Sequence, residues 1–145
     1  MTLGIQPAWS PDGSKIASEI DVGPSESDIF VTNVDGSGRR NLTNRIQLVD
    51  REPTWSPDGS QIAFRRLDRT ESVGYDLWVM DADGTNQTRL VSLPGAQLSP
   101  RWLPDNRILF DSGNRIMALD VGAGGTVTAL TNEPGFIHFD NAWRP

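Results

Sequence analysis

The fold of this chain is predicted by one segment, Pro53-Thr54-Trp55-Ser56-Pro57-Asp58-Gly59-Ser60-Gln61-Ile62-Ala63-Phe64. In it an extended stretch ends at a tryptophan, Pro-Asp-Gly has the chemistry of a tight turn, and an apolar strand follows. The segment recurs as Pro7-Ala8-Trp9-Ser10-Pro11-Asp12-Gly13-Ser14-Lys15-Ile16-Ala17 and, in degraded form, as Pro100-Arg101-Trp102-Leu103-Pro104-Asp105-Asn106-Arg107-Ile108-Leu109-Phe110. A fourth copy begins at Asn141-Ala142-Trp143. The four tryptophans are spaced by 46, 47 and 41 residues, which is the period of a four-stranded propeller blade.

Two further blocks repeat within each unit. The second block is Asp28-Ile29-Phe30-Val31, then Asp76-Leu77-Trp78-Val79 and, more loosely, Arg115-Ile116-Met117-Ala118. The third block is Arg40-Asn41-Leu42-Thr43, Thr88-Arg89-Leu90-Val91 and Thr128-Ala129-Leu130-Thr131. In the first two units an Asp-Gly pair, typical of a hairpin turn, separates the two blocks. No segment has a sustained 3.6-residue period, so little helix is expected.

These blocks predict an all-β chain made of three four-stranded β-propeller blades, a half-propeller, in a single repeat array over residues 1–145. We expect blade 1 at about residues 5–46, blade 2 at about 51–93 and blade 3 at about 98–132. The start of a further blade strand is expected at about residues 138–145.

The quoted motifs resemble the TolB-type β-propeller repeat over essentially the whole chain. Blade 3 departs from the pattern, with Leu103 in place of the serine, Asn106 in place of the glycine and Gly122-Ala123-Gly124-Gly125 in place of the Asp-Gly turn. The resemblance implies a propeller of six or more blades and a periplasmic location. It further implies a role like that of TolB, which binds a peptidoglycan-associated lipoprotein, or like the accessory propeller of prolyl-oligopeptidase-like peptidases. The sequence lacks TolB's N-terminal α/β domain, which weakens the case for that lipoprotein partner.

Composition excludes several functional classes. Five Trp and five Phe supply too many core-forming side chains for a disordered chain. The net charge of −6 argues against binding to nucleic acid or to anionic membranes, because phosphate contacts need a basic surface. The absence of cysteine excludes disulfides, thiolate metal sites and cysteine nucleophiles. No apolar run reaches the roughly 18 residues of a membrane helix, and residues 1–7 do not read as a signal peptide. The chain is therefore expected to be either cytoplasmic or part of a longer exported protein.

The sequence has few candidate catalytic residues, and we expect this chain not to be an enzyme. The sequence has one histidine, His138, and no Gly-x-Ser-x-Gly motif. Asp81 and Asp83 are interpreted as a strand end and turn, because Thr85 and Ser92 stand where a calcium loop needs ligands. The Gly-rich run at residues 35–40 is interpreted as a hairpin, because no helix follows it to complete a phosphate site. No cofactor or resident metal is expected.

Candidate binding residues occur in two groups. The position three residues before each tryptophan is polar every time, and it holds Gln6, Glu52, Ser99 and Asp140. Because the first strand of a blade lies innermost, these residues are expected near the mouth of the channel. They either solvate the channel or bind water, a peptide or a cation, and the hypothesis of cation binding concerns Glu52 and Asp140.

The second group is charged and is expected on the loop face of the propeller. It contains Arg51 in the first connection between blades, and Arg66 and Arg69 in or next to the loop between the second and third strands of blade 2. Arg45, Asp50, Arg65, Asp68 and Glu71 lie in the same two regions. Their mixed sign favours a protein or peptide partner over nucleic acid, the alternative being a solvated loop.

Three blades do not close a ring, since propellers have 4–8. A second copy would give a six-bladed homodimer; alternatively the chain is half of a longer propeller. Either terminal strand, near Ile5–Trp9 or near residues 139–143, could be used on closure, including by a strand swap.

The expected function is a non-catalytic interaction scaffold that assembles into a ring. The alternatives are the propeller portion of a hydrolase whose catalytic domain is absent, and a half-propeller that only self-assembles.

Overall fold

The computed structural model describes residues 5–70, 74–121 and 125–131. Within these ranges the chain forms twelve β-strands and no helix. The strands build three four-stranded antiparallel sheets, each from four consecutive strands in sequence order. The all-β, three-blade architecture predicted from the sequence is therefore confirmed. The predicted fourth tryptophan strand at residues 138–145 lies outside the described residues.

Each sheet is one blade. Blade 1 consists of β1 (Ile5–Trp9), β2 (Lys15–Gly23), β3 (Glu26–Asn33) and β4 (Arg40–Asn41). Blade 2 consists of β5 (Leu48–Trp55), β6 (Gln61–Asp68), β7 (Asp76–Asp81) and β8 (Thr88–Val91). Blade 3 consists of β9 (Gln97–Trp102), β10 (Arg107–Ser112), β11 (Arg115–Asp120) and β12 (Thr126–Ala129).

The first strand of each blade is the innermost. Strands β1 and β5 contact each other, as do β5 and β9, whereas among the described residues the outer strands β4, β8 and β12 make no such contacts between blades. This arrangement is that of propeller blades fanned around an axis.

The apolar core lies between blades, because adjacent sheets bury the faces that they turn toward each other. Each blade has a leading face, toward the preceding blade, and a trailing face, toward the next blade. One cluster joins Ala17, Ile29, Val31 and Leu42 of blade 1 to Trp55, Ile62, Phe64 and Met80 of blade 2. A second cluster joins Ala63, Leu77 and Val91 of blade 2 to Ile108, Phe110 and Leu119 of blade 3. Blade 2 is thus covered on both faces.

The turn between the first two strands of each blade depends on its third residue. Gly13 and Gly59 adopt φ values of 70° and 72°, and their N–H groups donate to the carbonyls of Ser10 and Ser56 at 2.9 Å. In blade 3 Asn106 takes the same conformation at φ 67°. Asparagine tolerates the left-handed region better than most residues, which explains how blade 3 keeps the turn after losing its glycine.

Candidate interaction site

The polar residues three positions before each tryptophan occupy one backbone feature. Gln6, Glu52 and Ser99 have φ values of 51°, 54° and 52°, and each lies in an interruption of the pairing between the first two strands of its blade. A left-handed residue of this kind costs free energy and persists where its surroundings require it. The bulge turns a backbone N–H out of the sheet. Asp140, the fourth predicted member of this group, lies outside the described residues.

At both interfaces between blades, this N–H donates a hydrogen bond to a carboxylate of the preceding blade, which we call its cap. Glu19 Oε2 of blade 1 accepts a hydrogen bond of 2.9 Å from the Glu52 N–H. Glu52 Oε2 of blade 2 in turn accepts one of 2.8 Å from the Ser99 N–H. Because a hydrogen bond to a charged acceptor is stronger than a neutral one, each cap contributes to holding successive blades in register.

Glu52 is occupied by these contacts. Its Oε2 also lies 3.0 Å from the Arg65 Nε in an ion pair that is largely shielded from solvent. Within the described residues no group of three or more His, Cys, Asp or Glu side chains is placed to hold a metal ion. Metal binding at Glu52 and Asp140 therefore stays a prediction without added support.

The sequence interpretation did not find Glu19. This residue is 3 % exposed, and burial raises the pKa of its carboxyl, against the opposing effects of the Glu52 N–H and of the Arg51 and Arg65 charges. A signal was present in the repeat, because Glu19, Arg65 and Asp111 occupy equivalent positions in the second strands and are charged every time.

Arg66 requires a correction. It was predicted to lie in or next to an exposed charged loop, but it lies inside β6 and is 1 % exposed. Its Nε and Nη2 donate to the Asp50 carboxylate at 2.6 and 2.8 Å, and Nη2 also donates to Gln87 at 2.8 Å. Burial raises the pKa of Asp50, against the opposing effect of Arg66. Arg66 is therefore a buried structural cation that no partner on the surface could reach.

The other two predicted arginines tie loops together. Arg51 Nε donates to Ser27 Oγ of blade 1 at 3.0 Å. Arg69 is exposed; its guanidinium donates to the Ser25 carbonyl of blade 1, and its N–H donates to the Gln47 carbonyl at 3.4 Å. The second-to-third-strand loops and the connection between blades therefore meet on one face of the molecule.

The Asp-Gly turns behave as ordinary turns. Thr85 donates from both N–H and Oγ1 to the Asp83 carboxylate, at 2.9 and 2.6 Å. In the run at residues 35–40, Arg39 stacks over Phe30 and Arg40 donates to the Asp83 carbonyl. These contacts are those of packed hairpins.

The leading face of blade 1 is open. Trp9 is 59 % exposed and Ile5 is 52 % exposed. The equivalent Trp55 is 7 % exposed, and its Nε1 donates to the Ala8 carbonyl of blade 1 at 3.1 Å.

In the described part of the chain, no blade follows blade 3 to cover its trailing face. This face carries a groove of about 300 Å³ that includes Ala118 and Leu130, and Leu130 is 50 % exposed. These two residues are equivalent to Val31 and Leu42, which are buried in the first cluster between blades. Ala118 is also buried, and only Leu130 of the pair is exposed. Exposed apolar side chains therefore occur on both outer faces of the described array, at Trp9 and Ile5 on blade 1 and at Leu130 on blade 3.

Three consecutive four-stranded sheets with their apolar faces packed between them define the chain as successive blades of a β-propeller. Comparison with solved structures shows that the blades are TolB-like. TolB from Acinetobacter baumannii is 25% identical with a TM-score of 0.75, over 91% of this chain and 33% of that one. A putative TolB from Agrobacterium tumefaciens is 23% identical with a TM-score of 0.73, over 90% of this chain and 50% of that one.

The fold is shared with a hydrolase as well. Puromycin hydrolase is 20% identical with a TM-score of 0.68, over 87% of this chain and 21% of that one. The chain thus spans between about a fifth and a half of these proteins. No family model and no curated protein matches the sequence. The described part of the chain contains no helix long and apolar enough to cross a membrane.

Proposed function

We propose that this chain is a non-catalytic, TolB-like interaction scaffold that completes its ring with a second copy. The observation that carries the proposal is Trp9. It is 59 % exposed, at a repeat position where Trp55 is 7 % exposed because a preceding blade covers it. The leading face of blade 1 therefore has the apolar character of a surface that packs against a preceding blade.

The energetics favour covering both open faces. Apolar surface left in water forfeits roughly 25 cal/mol for each Å², and exposed patches of a few hundred Å² mark interaction surfaces in soluble proteins. Each copy has one leading and one trailing face, so two copies joined head to tail leave neither uncovered. The result is a ring of 2 × 3 = 6 blades, within the usual range for propellers.

A protein or peptide partner is proposed at the face where the loops meet. Arg51 and Arg69 are held there by contacts to blade 1, so they stand on a rigid support, which is where scaffold proteins usually bind. The TolB-like blades favour an extracytoplasmic location. Neither nucleic acid nor membrane insertion is part of this proposal.

Sedimentation equilibrium tests the assembly. We expect a discrete species of 2 × 15.9 = 31.8 kDa at micromolar concentration, and we expect Trp9→Glu to convert it to the monomer. The control is Val34→Glu, which changes an exposed apolar residue outside the strands of blade 1. A native protein that stays monomeric at micromolar concentration contradicts the proposal.

A second candidate function is the propeller portion of a hydrolase whose catalytic domain lies outside this chain. It is favoured by the likeness to puromycin hydrolase. The same experiment separates the two, because a fragment of a longer propeller leaves its open faces without a matching copy. We then expect a monomer or polydisperse aggregates rather than a discrete dimer.

A further inference from the structure

One position on the leading face of the second strand changes from large to small at blade 1. Phe64 of β6 and Phe110 of β10 occupy this position, and both are fully buried in the clusters between blades. The equivalent residue of β2 is Ser18, which has the same register with the third strand of its blade. Ser18 is only half-buried. Blade 1 therefore presents a small side chain where the other two blades present a large aromatic one.

The opposite change occurs one residue away, on the trailing face. Ala17 of β2 and Ala63 of β6 are 0 % exposed in the clusters between blades. The equivalent residue of β10 is Leu109, because all three pair with the residue before the tryptophan of their blade. Leu109 is half-buried. Blade 3 therefore presents a large side chain where the other two blades present a small one.

The two changes compensate each other in volume. Each internal interface combines a trailing alanine with a leading phenylalanine in one cluster, Ala17 with Phe64 and then Ala63 with Phe110. An interface between blade 3 of one copy and blade 1 of a second copy combines leucine with serine. Both combinations join one large and one small side chain, and cores tolerate exchanges that keep the total volume.

We propose that Leu109 of one copy packs against Ser18 of a second copy, and that this exchange of sizes selects a second copy as the neighbour of blade 3. The proposal rests on the ring assembly of the proposed function and adds the residues that choose the partner. Specificity is gained when the wrong partner fits badly. A leading face that carries phenylalanine, like those of blades 2 and 3, overpacks against Leu109.

The contact lies on second strands, so it is the same whichever terminal segment forms the innermost strand. The sequence repeats the tryptophan motif of Ile5–Trp9 at residues 138–145. Closure with either segment brings β2 of the second copy next to β10 of the first, because the second strand pairs with the innermost one in every blade.

Sedimentation equilibrium of single and double variants tests the pairing. Ser18→Phe should weaken dimerisation about tenfold or more, because phenylalanine overpacks against Leu109. Leu109→Ala should weaken it about thirtyfold or more, because the contact is left with a void. Ser18→Phe/Leu109→Ala should restore affinity to within a few fold of the native protein, because it recreates the pair found at the internal interfaces.

Mixing the two single variants tests whether the contact is between copies. A ring of one Ser18→Phe copy and one Leu109→Ala copy has one interface with the native pair and one with the alanine–phenylalanine pair. We therefore expect a mixed dimer of near-native affinity, seen by native mass spectrometry, at a concentration where each variant alone is largely monomeric. A variant that has lost its fold cannot be rescued in this way.

The control is Ile46→Ala, at a residue 86 % exposed in the connection between blades 1 and 2, which should leave the affinity unchanged. If the native protein forms no dimer, this proposal and the proposed function both fail. If Trp9→Glu abolishes the dimer but neither the double variant nor mixing restores association, the scaffold proposal stands and the pairing of Leu109 with Ser18 is wrong.

Discussion

Equivalent tryptophans in this chain have different environments although their local sequences match. Trp55 is buried between blades 1 and 2 and donates to a backbone carbonyl, whereas Trp9 is mostly exposed. The side chain is the same, and the difference comes from the presence or absence of a preceding blade. Comparing these two tryptophans therefore measures how much an inter-blade contact contributes to stability.

The first prediction compares these two residues. Trp55→Ala should lower the free energy of unfolding by about 3–5 kcal/mol, as for other large aromatic side chains removed from a core. Trp9→Ala should cost less than about 1 kcal/mol when measured on the monomer, since exposed substitutions are usually mild. Urea unfolding followed by far-UV circular dichroism measures both values. Equal costs for the two variants would show that the blade interface does not carry the stability.

The second prediction concerns the buried ion pair. Arg66→Met leaves Asp50 buried without its counter-charge, which typically costs about 3–5 kcal/mol. Adding Asp50→Leu removes the stranded charge, so the double variant should be more stable than the single one. Urea midpoints of the native protein and both variants test this. A double variant that is no more stable than Arg66→Met would contradict it.

At the scale of single elements, the turn after each tryptophan is a network rather than a passive link. In blade 2, Ser56 Oγ and the Ser60 N–H and Oγ all donate to Asp58 Oδ1, at 2.7, 3.0 and 2.8 Å. The Ser56 hydroxyl also accepts from the Gln61 N–H at 2.9 Å. These bonds lock the start of the second strand against the end of the first.

The third prediction is the acid sensitivity of these turns. Hydrogen bonds from neighbouring serines lower the pKa of Asp12 and of Asp58 to about 2, from 3.8. Because the folded pKa is the lower one, the stabilisation is present above pH 3.8 and is lost as the pH falls toward 2. The native protein should lose stability across this window, and Asp12→Asn/Asp58→Asn should lose less.

Urea unfolding at pH 5, 4, 3 and 2 measures this effect. Asp21→Asn, at an exposed acid of β2 outside the turns, is the control and should keep the native slope. If the double variant and the native protein have the same slope between pH 4 and pH 2, the turn carboxylates are not responsible for the acid sensitivity.

At the scale of the whole molecule, the three blades are not equivalent. Blade 2 has a neighbour on each face, and Ile62, Ala63 and Phe64 in β6 are fully buried. Among the residues that the structure describes, no blade covers the leading face of blade 1 or the trailing face of blade 3. Stability should therefore be highest in the middle of the array and lower at its ends, as in other repeat proteins.

The fourth prediction follows from this asymmetry. In hydrogen exchange at low protein concentration, the amides of β6 should be the slowest and those of β1 and β2 faster. Raising the concentration should slow exchange in β1 and β2 while leaving β6 unchanged, because assembly covers only the open faces. Amides of β1 that already exchange as slowly as β6 in the monomer would refute the idea of an open face.

Several features of the fold could be predicted from short stretches of sequence. The spacing of the tryptophans and the Pro-Asp-Gly turns predicted four-stranded blades, because strand length and turn chemistry are local properties. Arg66 was misjudged because its burial depends on the packing of Asp50, Gln87 and two aromatic rings around it. Glu19 was missed for a similar reason, since its hydrogen-bond partner lies in another blade.

The amino-acid sequence by itself determined the blade, its repetition and the position of the polar residue before each tryptophan, because these depend on alternation and turns within about fifty residues. Only the tertiary structure decided which copies of the same motif are covered. Trp9 and Trp55 have nearly identical sequence surroundings, and their exposure differs because burial is a property of what packs against a face.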